Sequence, residues 1–232
     1  MLDRVFVPIA REGWPFIAIF AAGAFLLWSW EEWLIVPGAV LTLWCVYFFR
    51  DPDRTTPTRR GLVISPADGE VINVGPAPWP PQLGMGEGEA KRICIFMNVF
   101  DVHVNRVPVD GKILKLAYIP GKFINASFDK ASEDNERQLV AMETGDGQPV
   151  AFVQIAGLVA RRIVCKITEG QAVSAGERMG LIRFGSRVDV YVPSDVASHV
   201  AVGQRCVAGE TVLADLAPDQ VANESDRAGA VR

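Results

Sequence analysis

The chain has 232 residues, 50% of them hydrophobic and 22% charged, with a mean hydropathy of +0.20. That is material for one domain with a sizeable core plus an appendage. A net charge of -4 and a pI near 5.3 exclude the basic surface that a nucleic-acid-binding protein needs.

The hydrophobic excess sits in the first fifty residues. Residues 16–30 form an uncharged, mostly apolar run, Glu31-Glu32 interrupts it, and residues 33–49 form a second. Each run alone falls at or below the ~20 residues a helix needs to cross a hydrocarbon core. Together they predict a helical hairpin with Glu31-Glu32 at its turn. Trp28, Trp30, Trp33, Trp44 and Tyr47 lie near the ends, where interfacial aromatics belong. Arg4 and Arg11 precede the hairpin, and Arg50, Arg54, Arg59 and Arg60 follow it. The positive-inside rule then places both flanks in the cytoplasm, with the chain peripheral to or anchored in the cell membrane. No small-residue cleavage site follows the first run, which argues against a removed signal peptide.

Residues 50–60 (RDPDRTTPTRR) read as a linker, so residues 1–60 are a membrane-associated unit. Short β-branched or alternating segments follow at 61–65, 70–74, 92–99, 112–118, 138–143, 150–155 and 163–167. Residues 75–89 (GPAPWPPQLGMGEGE) lack periodicity and predict a long surface loop whose Trp79 and Leu83 could touch lipid. Residues 125–136 are polar and predict a short helix or an ordered loop. An internal repeat then appears: 170–177 (GQAVSAGE) matches 203–210 (GQRCVAGE) at an offset of 33, each followed by a hydrophobic strand. Two matched units related by a pseudo-twofold predict a mainly β domain over 61–218, like a barrel–sandwich hybrid, carrying the N-terminal hairpin. Residues 219–232 are polar, rich in small residues and predicted disordered. The four cysteines (Cys45, Cys94, Cys165, Cys206) form no CxxC pair and read as reduced thiols rather than a disulfide or metal site.

Histidine is scarce. His103 lies in FDVHVNRVP between two strands, and His199 falls in a polar stretch that reads as surface. Asp68 sits in the turn sequence SPADG. Ser186 follows Gly185 at the entry to a strand, between the two copies of the repeat. Taken singly, an Asp-Gly turn, a lone histidine and a Gly-Ser pair are weak signals.

In this order, SPADG, DVHVNRVP, residues 120–137 (PGKFINASFDKASEDNER) and the late FGS resemble phosphatidylserine decarboxylases of the short, prokaryotic type. The resemblance spans essentially the whole chain. It implies a proenzyme that cuts itself between Gly185 and Ser186 into a β chain (1–185) and an α chain (186–232), with Ser186 becoming a covalent pyruvoyl group. It implies His103 as base, Asp68 as the carboxylate that orients it, and a phospholipid as substrate. The pyruvoyl group would serve as the electron sink that PLP provides elsewhere, and no metal is implied. Arg106 stands where longer family members carry a second histidine, so His103 would serve both maturation and turnover. Asp101 competes with Asp68 as orienting carboxylate. Lys122, Lys130 and Arg137 are candidates for the lipid phosphate, and self-association into a homo-oligomer stays open. Two other classes are weighed. A membrane-anchored lipoyl-like module would need a lysine at a repeat turn, and a serine hydrolase would need a Gly-x-Ser-x-Gly elbow, which Phe184 and Val188 break.

Overall fold

The computed structural model describes residues 7–121, 126, 134–157, 162–183, 185–217 and 229–232. Two helices, α1 (Trp14–Trp30) and α2 (Ile35–Phe48), form the hairpin, joined by a 3-10 turn at Glu32–Leu34. Gly38 meets Ala24 so closely that a Cβ would stand 2.5 Å from the alanine methyl. Small residues of this kind let membrane helices approach. Most other side chains face outward, including Ile19, Leu26, Trp30, Trp33, Val36, Val40 and Leu43. Arg11–Trp30 is long and apolar enough to cross a membrane, whereas α2 is shorter than a span.

The rest of the described chain is β. One eight-stranded sheet runs in the order β10 (Ala172–Val173), β6 (Gly111–Ile119), β7 (Arg137–Glu143), β8 (Pro149–Ala156), β12 (Ser186–Pro193), β4 (Glu89–Met97), β3 (Gly69–Pro78), β13 (Arg205–Cys206), with antiparallel neighbours. Smaller sheets join β5 (Val104–Arg106), β11 (Arg178–Ile182) and β9 (Ile163–Cys165), β14 (Val212–Asp215) to β2 (Leu62–Ile64), and β1 (Thr55–Pro57) to β15 (Gly229–Val231). The fold is mainly β, with a curled sheet and an N-terminal helical pair, as the sequence predicts.

Period-two alternation along β12 separates two cores. Val188, Val190 and Val192 face a main cluster with Ile93, Ile95, Phe152 and Met142. Tyr191 faces a second, with Leu139, Val153 and Leu83. Both faces of β12 are therefore buried. A third cluster docks the hairpin's base: Ala10, Cys45, Phe48 and Phe49 pack on Val102, Val104 and Leu181. The base is laced by Ala10 N–H to Phe49 O (2.8 Å) and Asp51 N–H to Pro8 O (2.7 Å). The hairpin is thus built into the β domain and does not hang from a loose linker.

The repeat is real in three dimensions. Gly170 and Gly203 both take positive φ (80° and 88°), as do Gly176 and Gly209 (81° and 78°), a conformation that glycine adopts without penalty. Each copy is bound by an aspartate from a matching Pro-x-Asp-Gly turn. Asp68 Oδ1 accepts the Ala208 N–H and Asp110 Oδ1 accepts the Ala175 N–H, both at 2.8 Å.

Two expectations need correcting. Residues 75–89 are not one long loop: β3 and β4 extend through them in register, from Gly75 opposite Arg92 to Pro78 opposite Glu89. Past its first residues β3 has no partner on its other side, so its prolines cost no ladder bond. Leu83 is buried against the second core and Trp79 packs beside it, so neither is a lipid-facing tip. The predicted disordered tail also ends in order. Gly229–Val231 pairs with Thr55–Pro57, which makes part of the supposed linker a strand; residues 218–228 lie outside the described residues. All four cysteines are free thiols, and His199 is exposed.

Candidate active site

Ser186 opens β12 with no exposed surface. It is opposite Met97 on β4 and Ala156 on β8, so strands on both sides fix its backbone. Its Oγ rests 3.9 Å from Met97 Sδ. Beneath it lies a buried polar chain in which Gln154 Nε2 donates to Asn105 Oδ1 (2.8 Å) and Asn105 Nδ2 reaches Met97 Sδ (3.5 Å).

The preceding Gly185 has φ +70°, the left-handed region, with open space where a Cβ would stand. Its backbone conformation, not crowding, is what favours glycine. Crowding acts instead on Gly157: a Cβ there would come within 2.0 Å of the Gly185 carbonyl oxygen. Gly157 therefore lets the carbonyl before Ser186 take its place. Sequence reasoning missed this residue, because only the fold brings the end of β8 to the start of β12.

His103 is buried and ends the turn 98–101. That turn is closed by Asp101 N–H to Asn98 O (3.0 Å) and by Asn98 N–H to an Asp101 carboxylate oxygen (2.9 Å). The Asp101 carbonyl lies 3.0 Å from His103 Nδ1, and the Gly185 N–H donates to Nε2 at 3.2 Å. A carbonyl on one side and an N–H on the other fix the tautomer: Nδ1 carries the hydrogen and Nε2 presents a lone pair. Burial pushes the imidazole down to about 4, outweighing the bond to the Asp101 carbonyl and the Asp101 charge, while Arg50 adds to the fall. His103 is therefore neutral at physiological pH, with its Nε2 turned to the Gly185–Ser186 segment. Phe48, at the end of α2, covers the ring with centroids 4.2 Å apart.

The predicted site residues are not all brought together. His103 and Gly185–Ser186 meet. Asp68 does not reach His103: its carboxylate takes both oxygens' bonds from Arg54 (2.8 and 3.0 Å) as well as the Ala208 N–H. The matching Asp110 does the same backbone work in the other repeat, so Asp68 is engaged in holding the repeat turn. The signal for this was legible, since Pro-x-Asp-Gly occurs at both 66–69 and 108–111. Asp101 orients His103 through its main-chain carbonyl, while its carboxylate pairs with Arg205. Arg106 is a buried staple that donates to Gly176 O (2.7 Å), Pro52 O (2.9 Å) and Arg232 O (3.0 Å), tying the linker and the end of the chain to a repeat turn. Arg137 shares a cross-strand row with Ile155 and Arg187, one residue out of step with Ser186, and so lies on the opposite face of the sheet. Lys122 and Lys130 lie outside the described residues. No cluster of metal ligands occurs among the described residues.

The phosphatidylserine decarboxylase family profile matches residues 41–214. The chain belongs to that family. It is 60% identical to the phosphatidylserine decarboxylase proenzyme of Paramagnetospirillum magneticum, over 94% of this chain and 91% of the relative. It is 58% identical to that of Rhodospirillum rubrum, over 97% and 94%. The Cereibacter sphaeroides proenzyme is 53% identical, over 100% and 98%. Membership in the phosphatidylserine decarboxylase family agrees with the resemblance carried by the sequence motifs.

Proposed function

We propose that this chain cuts itself between Gly185 and Ser186, converts Ser186 into a pyruvoyl group, and uses it to decarboxylate phosphatidylserine to phosphatidylethanolamine and CO2. The observation that carries this reading is the neutral Nε2 of His103 held against Gly185, next to a buried serine whose preceding carbonyl is seated over Gly157.

In the first step Ser186 Oγ attacks the Gly185 carbonyl carbon. A neutral hydroxyl needs a base, and His103 is the base at hand. The C–O bond forms as the C–N bond breaks, and the Ser186 nitrogen takes the proton, leaving an ester. Loss of the Ser186 α-proton then expels the ester oxygen as the Gly185 carboxylate. The remaining dehydroalanine takes up water and releases ammonia, which leaves the pyruvoyl group on residue 186.

The residues present fit that group. Ser186 is dry, held by strands on both sides, and on a strand whose next polar residues are anchored. Arg187 and Asp189, both fully buried, form a bidentate pair at 2.7 and 2.8 Å on the opposite face. Such a pair keeps β12 in place when the bond before it is cut. The pyruvoyl carbonyl supplies the electron sink for loss of CO2. The Nε2 lone pair of His103 can take the proton that the substrate's ammonium gives up as its amine docks, and His103 is then the group placed to hand that proton back to the substrate's α-carbon. Residues 186–232 hold β12, β13, β14 and β15, each paired with a strand from before the cut, so the two chains stay interlocked.

The hairpin supplies the location. Its exposed apolar flank supports anchoring of the domain at the cell membrane, and its basic flanks support a β domain on the cytoplasmic side. The test is release of CO2 from phosphatidylserine labelled at its serine carboxyl, in vesicles with the purified full chain. Labelled CO2 and unlabelled phosphatidylethanolamine are expected. No CO2 from a fully cut preparation would rule the substrate out.

A further inference from the structure

Among the described residues, Arg183 is a cation near the reactive bond with no hydrogen-bond or ion-pair partner for its side chain. Arg183 follows β11, three residues before Ser186, with its N–H directed at Arg162 O (3.4 Å). Its guanidinium lies over the Phe16 ring of α1, 5.0 Å from the centroid. Among the described residues its side chain makes no hydrogen bond or ion pair, and its Nε is buried without a partner. Three neighbouring cations at the hairpin's base are already engaged. Arg50 donates to Tyr47 O and Phe100 O, Lys166 pairs with Glu12 at 2.8 Å, and Arg178 pairs with Asp51 and Asp53. Glu12 is close enough for its carboxyl to feel the charge of Arg183, yet among the described residues the two form no ion pair: Oε1 is bonded to Lys166 and Oε2 is buried without a hydrogen-bond partner.

Arg183 also shares a wall with the base. Phe16 stacks on Phe49 (5.6 Å), Phe49 meets Phe48 edge-on (5.0 Å), and Phe48 covers His103. All three aromatic residues come from the foot of the hairpin, and beyond Phe16 the helix presents exposed apolar side chains such as Ile19. We infer that Arg183 receives the phosphodiester of the lipid substrate, while Phe16 holds its guanidinium in place.

This rests on the decarboxylase reading for the identity of the lipid. In phosphatidylserine the amine and the phosphate are joined only through the serine Cα, Cβ and ester oxygen. An amine held at residue 186 therefore brings the phosphate within a few ångström. Three residues of chain span at most ~11 Å, so the Arg183 backbone is no farther than that from residue 186 while its guanidinium stays over Phe16. Arginine's forked donors match a phosphate in two places at once. A half-buried guanidinium without a partner is costly, and a lipid anion removes that cost. The acyl chains then run along the apolar flank of α1 into the bilayer.

The test uses the full chain in mixed micelles. Arg183→Gln should raise KM for phosphatidylserine by ~10- to 100-fold with a smaller change in kcat, the loss expected for one charge-assisted contact. Arg183→Lys should lose less. Equilibrium binding of short-chain phosphatidylserine is measured in parallel on Ser186→Ala, which cannot be cut, with and without Arg183→Gln. The same ~10- to 100-fold weakening is expected. This arm also decides the matter if Arg183→Gln alone fails to mature. If KM and binding both keep their unsubstituted values, Arg183 is not the phosphate contact. If binding depends on Arg183 but the unsubstituted, cut protein releases no CO2, the contact stands and the decarboxylase reading falls.

Discussion

The turns at 170–177 and 203–210 follow the same backbone path and take the same bond from an aspartate, yet they lead to different ends. After the first, β11 runs beside β5 and carries the chain past His103 into Gly185 and Ser186. After the second, β14 pairs with β2 and leads only to the tail. The symmetric parts build a frame. Reactive geometry arises where one exit strand meets the foot of the hairpin, which brings Phe48 onto His103. The same comparison separates two aspartates that look alike in sequence from a histidine that has no counterpart in the other half.

The largest effects should fall on the asymmetric half. Ser186→Ala should abolish cleavage and CO2 release, and any residual cutting at 185/186 on a denaturing gel would remove the assigned nucleophile. His103→Gln should slow cleavage by ~10²- to 10⁴-fold, the usual worth of a positioned base; a time course of fragment appearance measures it. Gly157→Ala puts a methyl where the Gly185 carbonyl oxygen lies, and a displaced reacting carbonyl should cost on the order of 10²-fold in the same time course.

Smaller effects test stability. His103 titrates at about 4 when folded and near ~6.5 when unfolded. Its folded value is depressed, so the unfolded chain binds the proton more readily. Stability from this group is complete above ~6.5 and is lost as pH falls toward about 4, by about 3 kcal/mol in all. Urea midpoints of Ser186→Ala across that window should show this slope, and the Ser186→Ala/His103→Gln double variant should flatten it. Smallest of all, Asp68→Asn and Asp110→Asn should each cost about 1 kcal/mol by turning a charge-assisted bond to the turn N–H into a neutral one, with Asp68→Asn also losing its pair with Arg54, without separating in cleavage rate. If Asp68→Asn alone slowed cleavage ~10²-fold, it would be an orienting residue after all, and the symmetric frame would be the wrong account of it.

Much of this was legible in the sequence. The hairpin was set by two apolar runs around Glu31-Glu32, and the repeat by glycines at matched spacing, because both depend on short-range pattern. Ser186, Gly185 and His103 stand in ordered motifs, and the fold brings His103 to the Gly185–Ser186 segment. What stayed hidden depends on long-range contact. Gly157 gains meaning only when β8 lies beside β12. Phe48 reads as one more apolar residue of a membrane helix until the hairpin docks. Arg106 occupies a position that suggests catalysis, yet its guanidinium is consumed by three carbonyls that no local pattern predicts. The extension of β3 through a proline-rich stretch was missed because prolines are tolerated on a strand edge whose exposure only the sheet order defines.

The central claim is the cut before Ser186, and intact mass measurement of the purified full chain tests it most directly. Two species that meet at the Gly185–Ser186 bond are expected, with the C-terminal one starting in a pyruvoyl group and therefore lacking a free amine. A single unprocessed species of 25.3 kDa would contradict it.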